Sequence, residues 1–263
     1  SLGKHKLVFI MAPMVHWPEV MLEYETTEKV LFSADAFGKF GALCTDEDWT
    51  CEARRYYFNI AGKYGVPVQQ FLKKAAGLDI NMICPLHGPV LKDNLGYYIG
   101  LYDTWSRYEP ENKGVLIAYA SIHGNTAKAA YELADMLKKA GEDKVVVSDL
   151  SREDMAEVIE DAFRYDRMIL CASSYDGGVF PCMQDFLLRL QSKAYQNRTV
   201  GMVENGSWAP CAARVMRSIV DTFKNITVVE PVVTIKSTVK ESDKAALSSL
   251  AQAIYEAADK TVE

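Results

Sequence analysis

The sequence lacks any surplus of positive charge: 29 lysines and arginines stand against 35 aspartates and glutamates, a formal charge of -6. That balance argues against nucleic acid or an anionic membrane surface as partner, since both are gripped by basic patches. Long apolar runs are missing too, and none approaches the roughly 20 residues that a membrane-crossing helix needs. No basic-then-apolar leader opens the chain, so a cytoplasmic protein is expected. The six cysteines (Cys44, Cys51, Cys84, Cys171, Cys182, Cys211) contain no C-x-x-C pair. Their scatter excludes a zinc knuckle or a disulfide framework and suits buried thiols in a reducing cytosol. What remains, 49% hydrophobic and 24% charged residues, is the profile of a globular protein with room for one large domain or two ordinary ones.

Two regions follow from the patterning. In residues 1–109, short β-rich runs come first, over Lys6–Met11, Val20–Tyr24 and Lys29–Ser33. Helical stretches are expected over Glu52–Lys63 and Val68–Ala76, a strand over Asp79–Cys84, and an aromatic-rich helix over Asn94–Tyr108. The polar, turn-forming segment from Glu109 to Gly114 marks the boundary.

From residue 110 the chain alternates strand and helix. Strands are expected over Val115–Ala120, Lys144–Ser148, Arg167–Ala172, Thr199–Glu204 and Thr227–Ile235. The first helix shows Ala130, Leu133, Ala134 and Leu137 at helical spacing. Further helices are expected over Asp154–Phe163, Pro181–Leu190, Cys211–Phe223 and Ser242–Ala258. Five strands alternating with five helices predict an α/β fold, a doubly wound five-stranded parallel sheet. Its ligand belongs outside the carboxyl ends of the strands, in the loops after the first, third and fourth.

Those loops carry suitable chemistry. The first, Ser121-Ile122-His123-Gly124-Asn125-Thr126, leads directly into a helix, where hydroxyls and free backbone N–H groups can cradle a phosphate. The simpler reading is that Ser121 and Thr126 only cap the helix; the position after the first strand favours the phosphate. His123 can touch phosphate or only solvent. The second loop holds Ser173, Ser174, Tyr175, Asp176, Gly177 and Gly178, whose glycines let backbone approach a flat ring. The third holds Asn205, Gly206, Ser207 and Trp208. Tyr175 and Trp208 can stack on a heterocycle or pack on a neighbouring helix.

The run Ala118-Tyr119-Ala120-Ser121-Ile122-His123-Gly124-Asn125-Thr126, together with Tyr175-Asp176-Gly177-Gly178-Val179-Phe180-Pro181, resembles the flavodoxin domain of the flavodiiron proteins (A-type flavoproteins). Plain flavodoxins usually carry threonine where His123 stands. The resemblance implies FMN, its phosphate on the first loop and its ring between the other two. Three earlier segments resemble the same family in the same order: Met14-Val15-His16-Trp17-Pro18-Glu19, Leu31-Phe32-Ser33-Ala34-Asp35-Ala36-Phe37-Gly38, and Cys84-Pro85-Leu86-His87-Gly88-Pro89. Carried over, residues 1–109 are the C-terminal half of a metallo-β-lactamase-like αβ/βα domain, and residues 110–263 a complete flavodoxin-like domain. His16 and His87 become terminal iron ligands and Asp35 the bridge, donors that suit non-haem iron.

One departure matters. The family's His-x-Glu-x-Asp-His motif, which supplies the other iron ligands, is absent from these 263 residues. A truncated protein, or a gene whose partner chain completes the site, is therefore expected, with an incomplete site for the family's two irons. Half a sandwich should also leave a broad apolar face bare. For the intact protein the resemblance implies electrons passing from an external donor, such as rubredoxin or a flavin reductase, through FMN to a diiron site. That site reduces dioxygen to water or nitric oxide to nitrous oxide, in a head-to-tail homodimer. Two other classes compete: a pure FMN electron carrier whose first region is a non-catalytic module, and a metallo-β-lactamase-type hydrolase with an accessory flavin domain.

Overall fold

The computed structural model describes residues 2–43 and 48–259; Cys44 lies outside them. The chain divides into two compact units, residues 1–109 and 110–263.

The first unit is built on a four-stranded sheet. Strands β1 (Leu7–Met11), β2 (Met21–Glu25) and β3 (Val30–Phe32) pair antiparallel in order. Helices α1 (Trp49–Tyr56) and α2 (Gly65–Ala75) follow, then β4 (Met82–Cys84), parallel to β3, and α3 (Leu95–Ser106). Side chains alternate across the pleat. Leu22, Tyr24, Leu31 and Ile83 are buried on one face. On the other, Phe9, Met11, Met21 and Phe32 remain 44–54% exposed. The broad bare apolar face is thus present.

Helix structure here is more continuous than the pattern suggests. Asp48 caps α1 by accepting from the N–H groups of Thr50 and Cys51. A π turn over Tyr57–Ala61 and a tight turn over Gly62–Tyr64 then join α1 to α2. The two expected helices form one run because Tyr57, Phe58 and Phe71 are buried along it, and burial of that face outweighs local breaking signals. The strand expected over Asp79–Cys84 shrinks to β4.

The second unit begins with β5 (Asn112–Ala120), α4 (Asn125–Ala140), β6 (Val145–Asp149), α5 (Met155–Arg164) and β7 (Tyr165–Tyr175). It continues through β8 (Gly178–Val179), α6 (Pro181–Ser192), β9 (Gln196–Asn205), α7 (Ala212–Val220), β10 (Lys224–Val228), β11 (Val233–Ile235) and α8 (Glu241–Glu256). The parallel sheet runs β10-β9-β7-β5-β6, with β11 also on β9. This is the doubly wound order, and its direction of winding reverses between β5 and β7.

Strands β5, β7 and β9 are buried along most of their length and carry apolar stretches at their centres, residues 115–120, 168–172 and 200–203. On one face Ala130, Leu133, Ala134 and Leu137 of α4 join Leu247, Leu250 and Ile254 of α8 over Val115, Ile117 and Ile169. The strand expected over Thr227–Ile235 is broken in two. Pro231 falls in the gap, and proline cannot donate to a ladder; β10 and β11 resume on different stretches of β9. Helix α7 is shorter than expected, starting after Cys211 and ending at Val220.

None of the described cysteines, Cys51, Cys84, Cys171, Cys182 and Cys211, forms a disulfide, but only Cys171 is fully buried. The expectation of buried thiols fails for the other four, which lie near element ends rather than in strand centres. Among the described residues no helix is long and apolar enough to cross a membrane.

Candidate functional site

In the second unit the loops after β5, β7 and β9 surround a cavity of about 390 Å³ at the switch point. Ser121, Ile122, His123, Asn125 and Thr126 line it from the first loop, and Ser173, Ser174, Tyr175, Asp176 and Gly177 from the second. Asn205, Gly206, Ser207 and Trp208 line it from the third. Two expected residues do not. Gly124 is the left-handed residue that starts α4, with φ of 82°, so its role is to turn the chain. Gly178 is drawn into β8, paired with Tyr175, and its carbonyl accepts a hydrogen bond from Cys211 Sγ at 3.3 Å.

The first loop has the chemistry to hold an anion. No side chain caps α4 and no acidic residue stands in its first turn, so the positive end of its dipole is open to the cavity. Ser121 Oγ is buried without a hydrogen-bond partner. Thr126, 1% exposed, shares a 2.9 Å hydrogen bond with Ser173 Oγ. That bond fixes the first loop to the second.

Asp176 and Gly177 both have positive φ, 48° and 68°, and link β7 to β8 as a two-residue hairpin. The Asp-Gly pair is the sequence signal for such a turn, where the sequence reading expects only a loop. The turn holds Tyr175 at the rim, edge-on to Phe180 with centroids 5.6 Å apart. Trp208 is 89% exposed; packing on a neighbouring helix is thereby excluded for this residue, and its indole is left free for a ligand. Two residues hold the loops rather than face a ligand. Ser174 Oγ accepts from the N–H groups of Cys211 and Ala212, at 2.8 and 3.2 Å, closing the start of α7. The Asn205 amide donates to Ser237 O at 2.8 Å and accepts from Ser237 N at 3.0 Å.

Sequence reasoning missed Ala209, Cys211 and Ser237 as lining residues. Ser237 belongs to a fourth loop, after β11, and reaches the cavity because β11 runs beside the end of β9. The doubly wound rule could have found it, since every strand ends on this side.

In the first unit the three expected metal donors converge. Asp35 Oδ2 lies 3.1 Å from His16 Nε2, and Asp35 Oδ1 lies 3.3 Å from His87 Nε2. Phe32 and Cys84 are register partners at the ends of parallel β3 and β4, and the two loops continue side by side, with Leu86 N donating to Ala34 O at 2.8 Å. Gly38 permits this approach: a Cβ there would sit 3.0 Å from the carbonyl oxygens of Asp35 and His87. The Phe37 N–H donates to Tyr102 Oη at 2.7 Å, anchoring the Asp35 loop to α3.

Tyr56 was not foreseen. Its hydroxyl lies 3.4 Å from His16 Nε2, and its ring packs against His16 and His87. Burial, then the charge of Asp35, pushes its phenol up to about 12. The remaining histidines stand elsewhere: His5 pairs with Glu25 at 3.3 Å, and His123 lines the other unit's cavity.

No family model matches the chain. Among curated proteins it is 28% identical over 236 residues to an uncharacterised protein of Methanocaldococcus jannaschii, covering 86% of this chain and 58% of that one. It is 26% identical over 234 residues to an anaerobic nitric oxide reductase flavorubredoxin of Aeromonas salmonicida, covering 85% of this chain and 45% of that one. The chain therefore spans about half the length of these relatives. Among solved structures, rubredoxin oxygen:oxidoreductase from Desulfovibrio gigas covers the whole chain at a TM-score of 0.89 and 24% identity, with 67% of its own length matched. The flavodiiron protein of Giardia intestinalis also covers the whole chain, at 0.86 and 21%, with 68% of its own length matched. The chain has the flavodiiron fold. The resemblance read from the motifs is borne out at the level of architecture, in both units of this flavodiiron-like chain.

Proposed function

We propose that the chain is an FMN-binding, electron-transferring oxidoreductase of the flavodiiron kind. The observation that carries this reading is the cavity at the switch point, with its open helix start, its orphaned Ser121 hydroxyl and its bare Trp208. Each of these features is costly or idle in an empty protein, and together they match a flat, phosphorylated ligand.

Bound FMN supplies one-electron chemistry on an isoalloxazine ring. The chain's own residues would bind and orient it. The N–H groups at the start of α4, with Ser121 and Thr126, would hold the phosphate. Tyr175 and Trp208, with the Asp176-Gly177 turn, would hold the ring. The Asn205–Ser237 and Ser174–Cys211 hydrogen bonds keep these loops from spreading when the ligand leaves.

The diiron site is a different case. His16, Asp35 and His87 place one carboxylate between two imidazoles, a bridging arrangement with one terminal donor on each side. Three donors do not fill the coordination of two irons, so reduction of dioxygen or nitric oxide needs donors beyond these three. In that fuller setting the proposal extends to an external donor such as rubredoxin or a flavin reductase, a head-to-tail homodimer and a cytoplasmic location.

The test is titration of the flavin-free protein with FMN and riboflavin. A stoichiometric yellow complex that prefers FMN is expected. A protein that ignores added FMN would overturn the reading.

A further inference from the structure

The cavity has an uneven charge inventory. The phosphate of FMN carries up to two negative charges near neutral pH, yet among the described residues neither lysine nor arginine lines the cavity. The titratable side chains that do are Asp176 from the β7–β8 turn, Tyr175 from the end of β7, Cys211 from the start of α7, and His123. Of these types, only imidazole changes charge between about pH 5 and 7.5. Among the described residues, His123 is thus the one lining side chain of a type able to become a cation. It sits two residues before Asn125, where α4 begins, and is exposed. Its nearest charged neighbour along that helix, Lys128, is turned to Glu132 at 4.0 Å and does not line the cavity.

The geometry points to His123 as the residue that makes cofactor retention depend on pH and on the phosphate. As imidazolium it adds a charge-assisted contact to a cradle otherwise made of neutral hydroxyl and N–H donors. As neutral imidazole it leaves that cradle alone with a dianion. This inference rests on the FMN reading and deepens it. It assigns selectivity for FMN over riboflavin partly to a titrating group, so that affinity has a maximum rather than a plateau in pH. The sign follows from two opposing ionisations. As pH rises through about 6 the phosphate takes its second negative charge and the helix start binds it more tightly. As pH rises further, His123 loses its proton and the added attraction goes.

The experiment measures dissociation constants by flavin fluorescence for the parent, H123Q and H123K, with FMN and with riboflavin, between about pH 5.5 and 7.5. For the parent, FMN affinity should peak and then weaken about fivefold toward the alkaline end, the scale of an exposed ion pair strengthened by hydrogen bonding. H123Q should lose the alkaline decline and bind FMN with affinity that only rises with pH. H123K, with a fixed cation, should gain affinity with the phosphate ionisation and then show no alkaline decline. Riboflavin should give flat profiles in all three. FMN profiles that coincide for parent and H123Q would overturn the role of His123 while leaving the FMN site standing. Failure of every protein to bind FMN at any pH would instead overturn the FMN reading itself.

Discussion

Asp35 and His87 each stand three residues beyond a register pair, Phe32 and Cys84, and their side chains meet at 3.3 Å. Two parallel strands ending in step thus deliver a carboxylate and an imidazole to one point, with His16 brought to the other carboxylate oxygen from the β1–β2 connection.

That convergence depends on Gly38. Replacing it by alanine puts a methyl 3.0 Å from two carbonyl oxygens, so the Asp35 and His87 loops must give by a few tenths of an ångström. The Gly38→Ala protein should lose about 1–3 kcal/mol of stability, the usual cost of forcing an extra carbon into a packed site. Urea unfolding followed by tryptophan fluorescence measures it. An unchanged midpoint would show that the Asp35 and His87 loops can part freely.

The three donors set a ceiling on metal. Anaerobic incubation with ferrous iron or cobalt, followed by gel filtration and elemental analysis, should recover no more than one metal per chain. Asp35→Asn should abolish that binding, because it removes the charge that both imidazoles face. His87→Ala should weaken it and leave the flavin spectrum unaltered. Two tightly held irons with turnover in this 263-residue chain would refute the three-donor assignment.

Thr126 and Ser207 both line the cavity, but they differ in burial. Thr126 is buried and tied to Ser173, whereas Ser207 is exposed at the rim. Losing a hydrogen bond to a charged group costs about 1.5–3 kcal/mol, so Thr126→Ala should weaken FMN binding by about tenfold or more. Ser207→Ala should change it by less than about threefold, as befits a surface position. Equal affinity for Thr126→Ala and the parent in a quenching titration would remove Thr126 from the cradle.

Trp208 separates folding from binding. An indole this exposed contributes little to stability, so Trp208→Ala should shift the unfolding free energy by less than about 0.5 kcal/mol. Loss of ring contact should nevertheless weaken FMN and riboflavin binding alike, by about three- to tenfold. A large fall in melting temperature with intact flavin affinity would mean that the indole serves the fold instead.

The sequence by itself determined the second unit almost completely. Apolar runs alternating with amphipathic helices permit few arrangements, because a parallel sheet must be covered on both faces and its crossovers share one hand. That constraint puts every strand's carboxyl end on one side, so the loops bearing Ser121, Tyr175 and Trp208 had to meet. The Asp-Gly pair carries a hairpin signal as well, since that backbone demands those residue types, but the sequence reading takes the stretch only as a loop. Local pattern did not show that β10 and β11 divide one strand position, nor that Ser237 thereby enters the cavity, because both depend on pairing with a distant strand. It did not show that Ser174 and Asn205 spend their polar groups on neighbouring backbone. In the first unit the motifs named His16, Asp35 and His87, but only the tertiary structure seated both imidazoles on one carboxylate and set Tyr56 against them. Tyr56 carries no motif; it is brought there by the burial of one helical face, a long-range packing choice that no window of sequence contains.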